Sequence, residues 1–157
     1  MRVLSKSKLL AYRQCHRRLW LEERHPELNE DVGGTQQTFE IGHQVGDVAR
    51  RLYDPEDKGV LVDSRKGDIE ASSAQTRDAI KQSTPVFEAG FTAGGVSAFS
   101  DIVLPVKRTG ELAWRIVEVK SSTKLKDYYR DDVAVQAFVQ HDPRQNLARF
   151  GPAQIAT

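Results

Sequence analysis

Residues 85–121 read PVFEAGFTAGGVSAFSDIVLPVKRTGELAWRIVEVKS, and this stretch decides the fold. Three runs rich in Val, Ile, Phe and Trp (Pro85–Phe91, Val96–Val106 and Leu112–Ser121) are separated by glycine-bearing turns, Ala93-Gly94-Gly95 and Arg108-Thr109-Gly110. β-Branched and aromatic residues between short turns mark strands, so the stretch predicts a three-strand antiparallel meander. If the second turn is centred on Thr109-Gly110, as a two-residue loop or as the four residues Arg108–Glu111, partners across it have numbers that add to 219. Asp101 and Glu118 meet that condition. Directly opposite each other, their Cβ atoms would lie roughly 4.5–5.5 Å apart, where two like charges are destabilising unless something sits between them. A divalent cation is the natural occupant.

Period-two alternation puts Glu118 and Lys120 on one face and Val117 and Val119 on the other, so an ammonium is presented beside the paired carboxylates. Hard oxygen donors from Asp101 and Glu118, with the Val119 carbonyl as a third, suit Mg²⁺ or Mn²⁺, which keeps several waters and takes further oxygens from a phosphate. A cation so held lowers the pKa of a bound water. Lys120 is placed to position or deprotonate that water, or to stabilise charge developing on the phosphoryl oxygens. Together these are the parts of metal-assisted phosphodiester hydrolysis. The same Asp…Glu-x-Lys triple also occurs on exposed strand edges for solvation alone. Here its apolar neighbours Phe99, Ile102, Val103, Ile116, Val117 and Val119 argue for partial burial, and buried unpaired carboxylates are costly.

Upstream, Ser5 and Ser7 can cap a helix running through about Arg24, with Leu9, Tyr12, Cys15 or His16, Leu19 and Trp20 at three- and four-residue spacing, until Pro26 ends it. Residues 27–37 read as a polar loop with Gly33-Gly34. Phe39, Val45, Val48, Ala49, Leu52 and Tyr53 then mark a second amphipathic helix, stopped by Asp54-Pro55. Gly59–Val62 is a short strand candidate, and residues 68–82 read as a polar surface helix with Ile69, Ala79 and Ile80 inward. Downstream, residues 127–140 return to helical spacing through Tyr128, Val135, Phe138 and Val139. Residues 141–157, with Asp142-Pro143 and Gly151-Pro152, carry no strand pattern and read as an irregular tail.

A chain of 157 residues suits one domain. It contains no apolar run of the roughly 18 to 20 residues that a membrane span needs, and MRVLSKSKLL has no signal-peptide run, so a soluble cytoplasmic protein is expected. The single cysteine, Cys15, excludes an internal disulfide, a Cys₂ or Cys₄ zinc site and a self-contained four-cysteine iron–sulfur cluster. The formal charge of +1 hides a split: residues 1–25 hold seven Lys/Arg against Glu22 and Glu23, or +5, which leaves −4 for the rest. Lys120, Lys124, Lys126 and Arg130 against Asp127 form a second basic cluster. Such patches fit a solvated face or a phosphate-bearing partner. Lys6, Lys8, Arg17, Arg18, Lys124 and Lys126 are the candidates for sequence-independent, salt-sensitive contact with a DNA backbone. Trp20 and Trp114 read as packing residues and Cys15 as a small buried helix residue. Glu88 is either a further ligand or base near the site, or a solvent-facing carboxylate.

Residues 100–139, SDIVLPVKRTGELAWRIVEVKSSTKLKDYYRDDVAVQAFV, resemble the core of the PD-(D/E)XK nuclease superfamily, in the RecB-like branch that includes CRISPR-associated exonucleases. The N-terminal SKSKLLAYRQCHRRLW resembles that branch's opening helix, and the resemblance spans most of residues 4–140. It implies an α/β, restriction-endonuclease-like domain over residues 1–140, with N-terminal helices in 5–53 and a catalytic core in 85–140. It further implies Asp101 and Glu118 as metal ligands, Lys120 as catalytic lysine, Gln136 contacting DNA or orienting the attacking water, and Tyr129 assisting. The branch's second-helix histidine ligand falls near Gly42-His43-Gln44-Val45-Gly46, where His43 is the candidate if its side chain turns inward. Cys15 corresponds to the first of four cluster cysteines in some members, so no complete cluster is expected in this chain. The family core adds a strand after the glutamine helix, so the chain reads as C-terminally truncated. The implied activity is a metal-dependent deoxyribonuclease acting on single strands or duplex ends. The alternative is an inactive nucleic-acid-binding or complex-subunit remnant, and in either case a protein partner or second copy could complete the fold.

Overall fold

The computed structural model describes residues 3–28, 34–63, 68–122, 124, 126–141 and 154–156, with 34–39 and 154–156 described as backbone only. Among these the chain is α/β, with five α-helices and a mixed six-stranded sheet. The meander forms from β3 (Val86–Ala93), β4 (Val96–Arg108) and β5 (Glu111–Val119), all antiparallel neighbours. The β4–β5 register from Ile102↔Val117 to Arg108↔Glu111 is the one read from the turn. Its cause is local: Thr109 and Gly110 both adopt left-handed backbone, φ 52° and 84°, the two-residue turn whose twist matches its strands.

Parallel strands extend the meander on both sides. β2 (Val60–Leu61) pairs with β3, and β6 (Gln154–Ala156) pairs with β5. β6 corrects the reading of 141–157 as a strandless tail: the segment has no alternation of its own, and pairs because the outer edge of β5 offers backbone donors and acceptors. Residues 142–153 and 157 of that tail lie outside the described residues. β1 (Leu4–Ser5) runs parallel to the start of β4, as Leu4↔Val96 and Ser5↔Ser97. The β5 ladder begins only at Ile102, so this edge of β4 is open to it.

The helix read over 5–24 is two helices, α1 (Lys6–Gln14) and α2 (His16–Arg24), because Cys15 is extended at φ −163°, ψ 122°. Cys15 is therefore exposed at a break and is not the buried helix residue expected. α2 turns away from the sheet and buries none of its residues; Trp20 is 54% exposed, whereas Trp114 is fully buried as a packing residue. α3 (Gly34–Tyr53) starts inside the segment read as a loop, and the side chain of Phe39 lies outside the described residues. α4 (Ile69–Lys81) is capped by the Asp68 carboxylate, which accepts from Glu70 and Ala71 N–H, and α5 (Tyr128–Gln140) follows the meander. No helix among the described residues is long and apolar enough to cross a membrane.

Two apolar clusters lie on opposite faces of the sheet. One joins Ala79 and Ile80 of α4 and Val139 of α5 to Val86, Ala89, Phe91, Val103 and Trp114; the other joins Ala49 of α3 to Phe87, Ile102 and Val117. Strict alternation would put Val86 and Ala89 on different faces, yet both face α4 and α5. Ala98 and Val103 share that face in the same way. Both strands therefore change phase once. The change falls at Glu88 and Asp101, the two residues missing from the ladder between Phe87↔Ile102 and Ala89↔Ser100. Glu88 has φ 54°, a left-handed conformation that only an over-determined backbone imposes on a non-glycine residue.

α5 also differs from its sequence reading. Tyr128 and Phe138 are exposed, and the buried face is Tyr129, Asp132, Gln136, Val139 and Gln140. Beneath it lie Ser100 and Glu118, polar and fully covered, so the helix turns in the side chains that can bond them. α4 approaches β3 closely, and a Cβ at Gly90 would stand 2.9 Å from Ser72 Cβ and 3.1 Å from the Phe99 ring. Gly90→Ala is expected to destabilise the chain by about 1–3 kcal/mol, the scale of overpacking, measured as a lower denaturation midpoint at unchanged m-value.

Candidate active site

Glu118, near the end of β5, is 1% exposed and every oxygen it has is engaged. Its Oε1 accepts from Lys6 Nζ at 3.2 Å and Lys120 Nζ at 2.6 Å, while its Oε2 accepts from the Gln136 amide, which also donates to the Phe99 carbonyl. Lys120 Nζ binds Asp132 Oδ2 at 2.7 Å and Lys6 Nζ lies 3.6 Å from Asp132 Oδ1, closing a ring of two ammoniums and two carboxylates. Burial alone would raise the Glu118 pKa, but Lys6 and Lys120 outweigh it and hold the carboxyl below its ordinary range. Burial likewise pulls the Lys120 ammonium down, and the carboxylates of Glu118 and Asp132 reverse that to a net rise. Both groups stay charged at neutral pH.

Asp101 lies next to this ring. Its Oδ2 accepts the Val119 N–H at 2.6 Å; burial first, and then the charge of Glu118, push its carboxyl up to about 7 against the pull of that hydrogen bond. Glu88 is raised too, by burial and then by Glu118, with His43 and Lys6 pulling the other way. Asp101, Glu88, Val119, Lys120, Tyr129 and His43 all line one cavity of about 740 Å³ between α3 and the sheet. Gly42 and Gly46 also line it, and apart from the adjoining backbone of α3 nothing lies within 4 Å of where a Cβ would stand on either, so the space above them is clear.

The ladder and α5 thus bring together Asp101, Glu118, Val119, Lys120 and Gln136, with Glu88, His43 and Tyr129 around the cavity. His43 is exposed yet turned to that cavity, and Tyr129 is buried with its ring centroid 5.2 Å from Lys120 Nζ. The basic residues divide differently from their sequence grouping. Lys6 is turned into the site and is not on an outer face. Lys8 pairs with Glu23 at 2.6 Å, and Arg18 with Glu22 at 2.6 Å and with Gln14. Arg17, Lys124 and Lys126 are exposed, the last 5.7 Å from the Tyr128 ring. Asp132 is a site residue that the sequence reading passed over. Its signal was present, since Tyr129, Asp132 and Gln136 stand at i, i+3 and i+7 on one helix face. Lys6 had no such local signal, because only the pairing of β1 with β4 carries it to Glu118.

No group of three or more His, Cys, Asp or Glu among the described residues is arranged to hold a metal ion. By donor type, the carboxylates of Asp101 and Glu118 and the Val119 carbonyl are hard oxygens of the kind that Mg²⁺ or Mn²⁺ takes, cations that keep much of their water.

The Asp101 carboxyl, raised from an ordinary 3.8 to about 7 in the fold, favours the folded state fully below pH 3.8, and that contribution is lost as pH rises through about 7. Asp101→Asn keeps an oxygen for the Val119 N–H and removes the charge. In metal-free buffer it is expected to be more stable than the parent by at least about 1.4 kcal/mol at pH 8, one pKa unit's worth, with the gain disappearing toward pH 4. Denaturant titrations at the two pH values check this, and equal stability at pH 8 would refute the destabilisation of the ionised Asp101 by burial and by Glu118.

No family model matches the chain, and comparison with curated proteins and with solved structures gave no match. The reading of the site rests on its residues.

Proposed function

We propose that this chain is a metal-dependent deoxyribonuclease of PD-(D/E)XK, RecB-like type, which hydrolyses phosphodiester bonds in the cavity between α3 and the sheet. The observation that carries the reading is the neighbourhood of Asp101, Glu118 and Lys120: Asp101 accepts the Val119 N–H and feels the charge of Glu118, Glu118 accepts from Lys120, and Asp101 and Lys120 line a cavity wide enough for a phosphate. Mg²⁺ or Mn²⁺ held by Asp101 and Glu118, with the Val119 carbonyl, would acidify a water and offset charge on the phosphoryl oxygens. The remaining work belongs to side chains. Lys120, fixed by Asp132, donates to a phosphoryl oxygen or to the attacking water from a partly buried position on the cavity wall. Gln136 holds the Glu118 carboxylate in one orientation from behind. Exposed Arg17, Lys124 and Lys126 supply cations for the strand's other phosphates.

The engagement of Glu118 by Lys6, Lys120 and Gln136 favours a second reading, a nucleic-acid-binding module that does not cleave. Incubation of the purified chain with single-stranded and duplex DNA in Mg²⁺ or Mn²⁺ separates the two. Cleavage is expected, and Lys120→Ala or Glu118→Gln should slow it by at least about 10²-fold, the loss typical of a single charge-stabilising group. Intact DNA, or a Lys120→Ala variant as fast as the parent, overturns the nuclease. Salt-sensitive retention of uncut DNA selects the binding module.

A further inference from the structure

Lys6 is the first residue of α1, yet its ammonium lies inside the ring, 3.2 Å from Glu118 Oε1 and 3.6 Å from Asp132 Oδ1, with its side chain only 19% exposed. The fold puts it there. β1 binds the open edge of β4 just short of where the β5 ladder begins, and Ser5 both ends that strand and caps α1 through the Lys8 N–H at 3.4 Å. The first helical side chain is then level with the end of β5.

Lys120 makes the same two contacts at 2.6 and 2.7 Å, so Lys6 is the longer-range partner of each carboxylate. Three of the about four acceptor positions of Glu118 are taken, two on Oε1 by the ammoniums and one on Oε2 by Gln136, so a metal meets a carboxylate already shared among three donors. Two ammoniums beside a divalent cation also repel it. Of the two lysines, Lys6 is the one whose departure from Glu118 disturbs least: Asp132 keeps Lys120 in place through a separate oxygen, Oδ2, and keeps Lys6 nearby through Oδ1.

We propose that Lys6 is the resident counter-cation of the metal-free site. It neutralises a buried carboxylate that would otherwise be left unpaired, and it gives up Glu118 when a divalent cation binds, while Asp132 acts as the positioning residue for Lys120 throughout. This rests on the metal-dependent reading of the same site. It makes α1 a part of the site whose contacts change with occupancy, and it makes Lys6 a brake on metal affinity.

Amine acylation of the unaltered chain, read residue by residue by mass spectrometry with and without saturating Mn²⁺, tests the exchange. Lys6 is expected to acylate several-fold faster with Mn²⁺, while Lys120 and the exposed Lys81 keep their rates. Mn²⁺ titration of Lys6→Met should give binding tighter than the parent's by about tenfold, the scale of one charge-assisted contact, and Lys6→Arg should return it toward the parent value. If Asp101→Asn abolishes Mn²⁺ binding but Lys6 acylation is unmoved by Mn²⁺, or Lys6→Met binds as the parent does, the role of Lys6 is overturned and the metal site stands. Mn²⁺ binding that Asp101→Asn leaves unchanged overturns the metal site, and the role of Lys6 with it.

Discussion

A carboxylate with 1% exposure cannot stay ionised without partners, and the architecture around β5 follows from meeting that demand at Glu118. Its partners come from three directions: Lys120 from the end of its own strand, Gln136 from α5, and Lys6 from α1. Each fixes an element. α5 must present a polar face to the sheet, which is why Tyr129, Asp132 and Gln136 turn inward and leave Phe138 57% exposed. α1 must start level with the end of β5, and the two pairs of β1 with β4 set that level. Buried ion pairs contribute little net stability, because desolvation offsets most of the attraction, so the ring is better understood as a device that specifies geometry.

The opposite side of the same strand end works by conflict. Glu88 and Asp101 are the positions where β3 and β4 leave the ladder and change phase, and Glu88 holds a left-handed φ of 54° that costs of order 1–3 kcal/mol in a non-glycine residue. The phase change turns two carboxylates toward the α3 cavity while the flanking apolar residues still reach their cores, Phe87 on one face and Ala89 on the other. A regular strand pair would place its inward residues on one face throughout. Lys120 belongs to both regions, lining the cavity and closing the ring, so charge changes in either are felt by the same ammonium.

What the sequence made legible was local. The register of β4 and β5 follows from two turn residues, Thr109 and Gly110; it ends at Ile102↔Val117, one pair short of Asp101 and Glu118, and Asp101 is then held to the end of β5 by the Val119 N–H. What it hid was long-range or polar. Lys6 reaches Glu118 across 112 positions of sequence, and β6 forms only because β5 supplies an edge, so neither segment shows a pattern of its own. Cys15 breaks a helix without proline or glycine nearby, where apolar spacing simply continues through it. In α5 the habit of placing apolar residues inward selects Tyr128 and Phe138, and it fails because the surface beneath is itself polar.

Counting charge at the site joins these parts. Lys6 and Lys120 face four carboxylates, Glu88, Asp101, Glu118 and Asp132, so the fully ionised set carries a formal −2. The fold distributes that excess unevenly. Glu118 and Asp132 share the two ammoniums, whereas Asp101 and Glu88 face repulsion and burial and are pushed toward their protonated forms. Protons are therefore what balances the metal-free site on its cavity side, and lysines are what balance it on the α5 side. A divalent cation would carry the charge that is short and let Asp101 ionise with both lysines kept beside Asp132; of the two lysine contacts on Glu118, the longer is the one that comes from the far end of the chain.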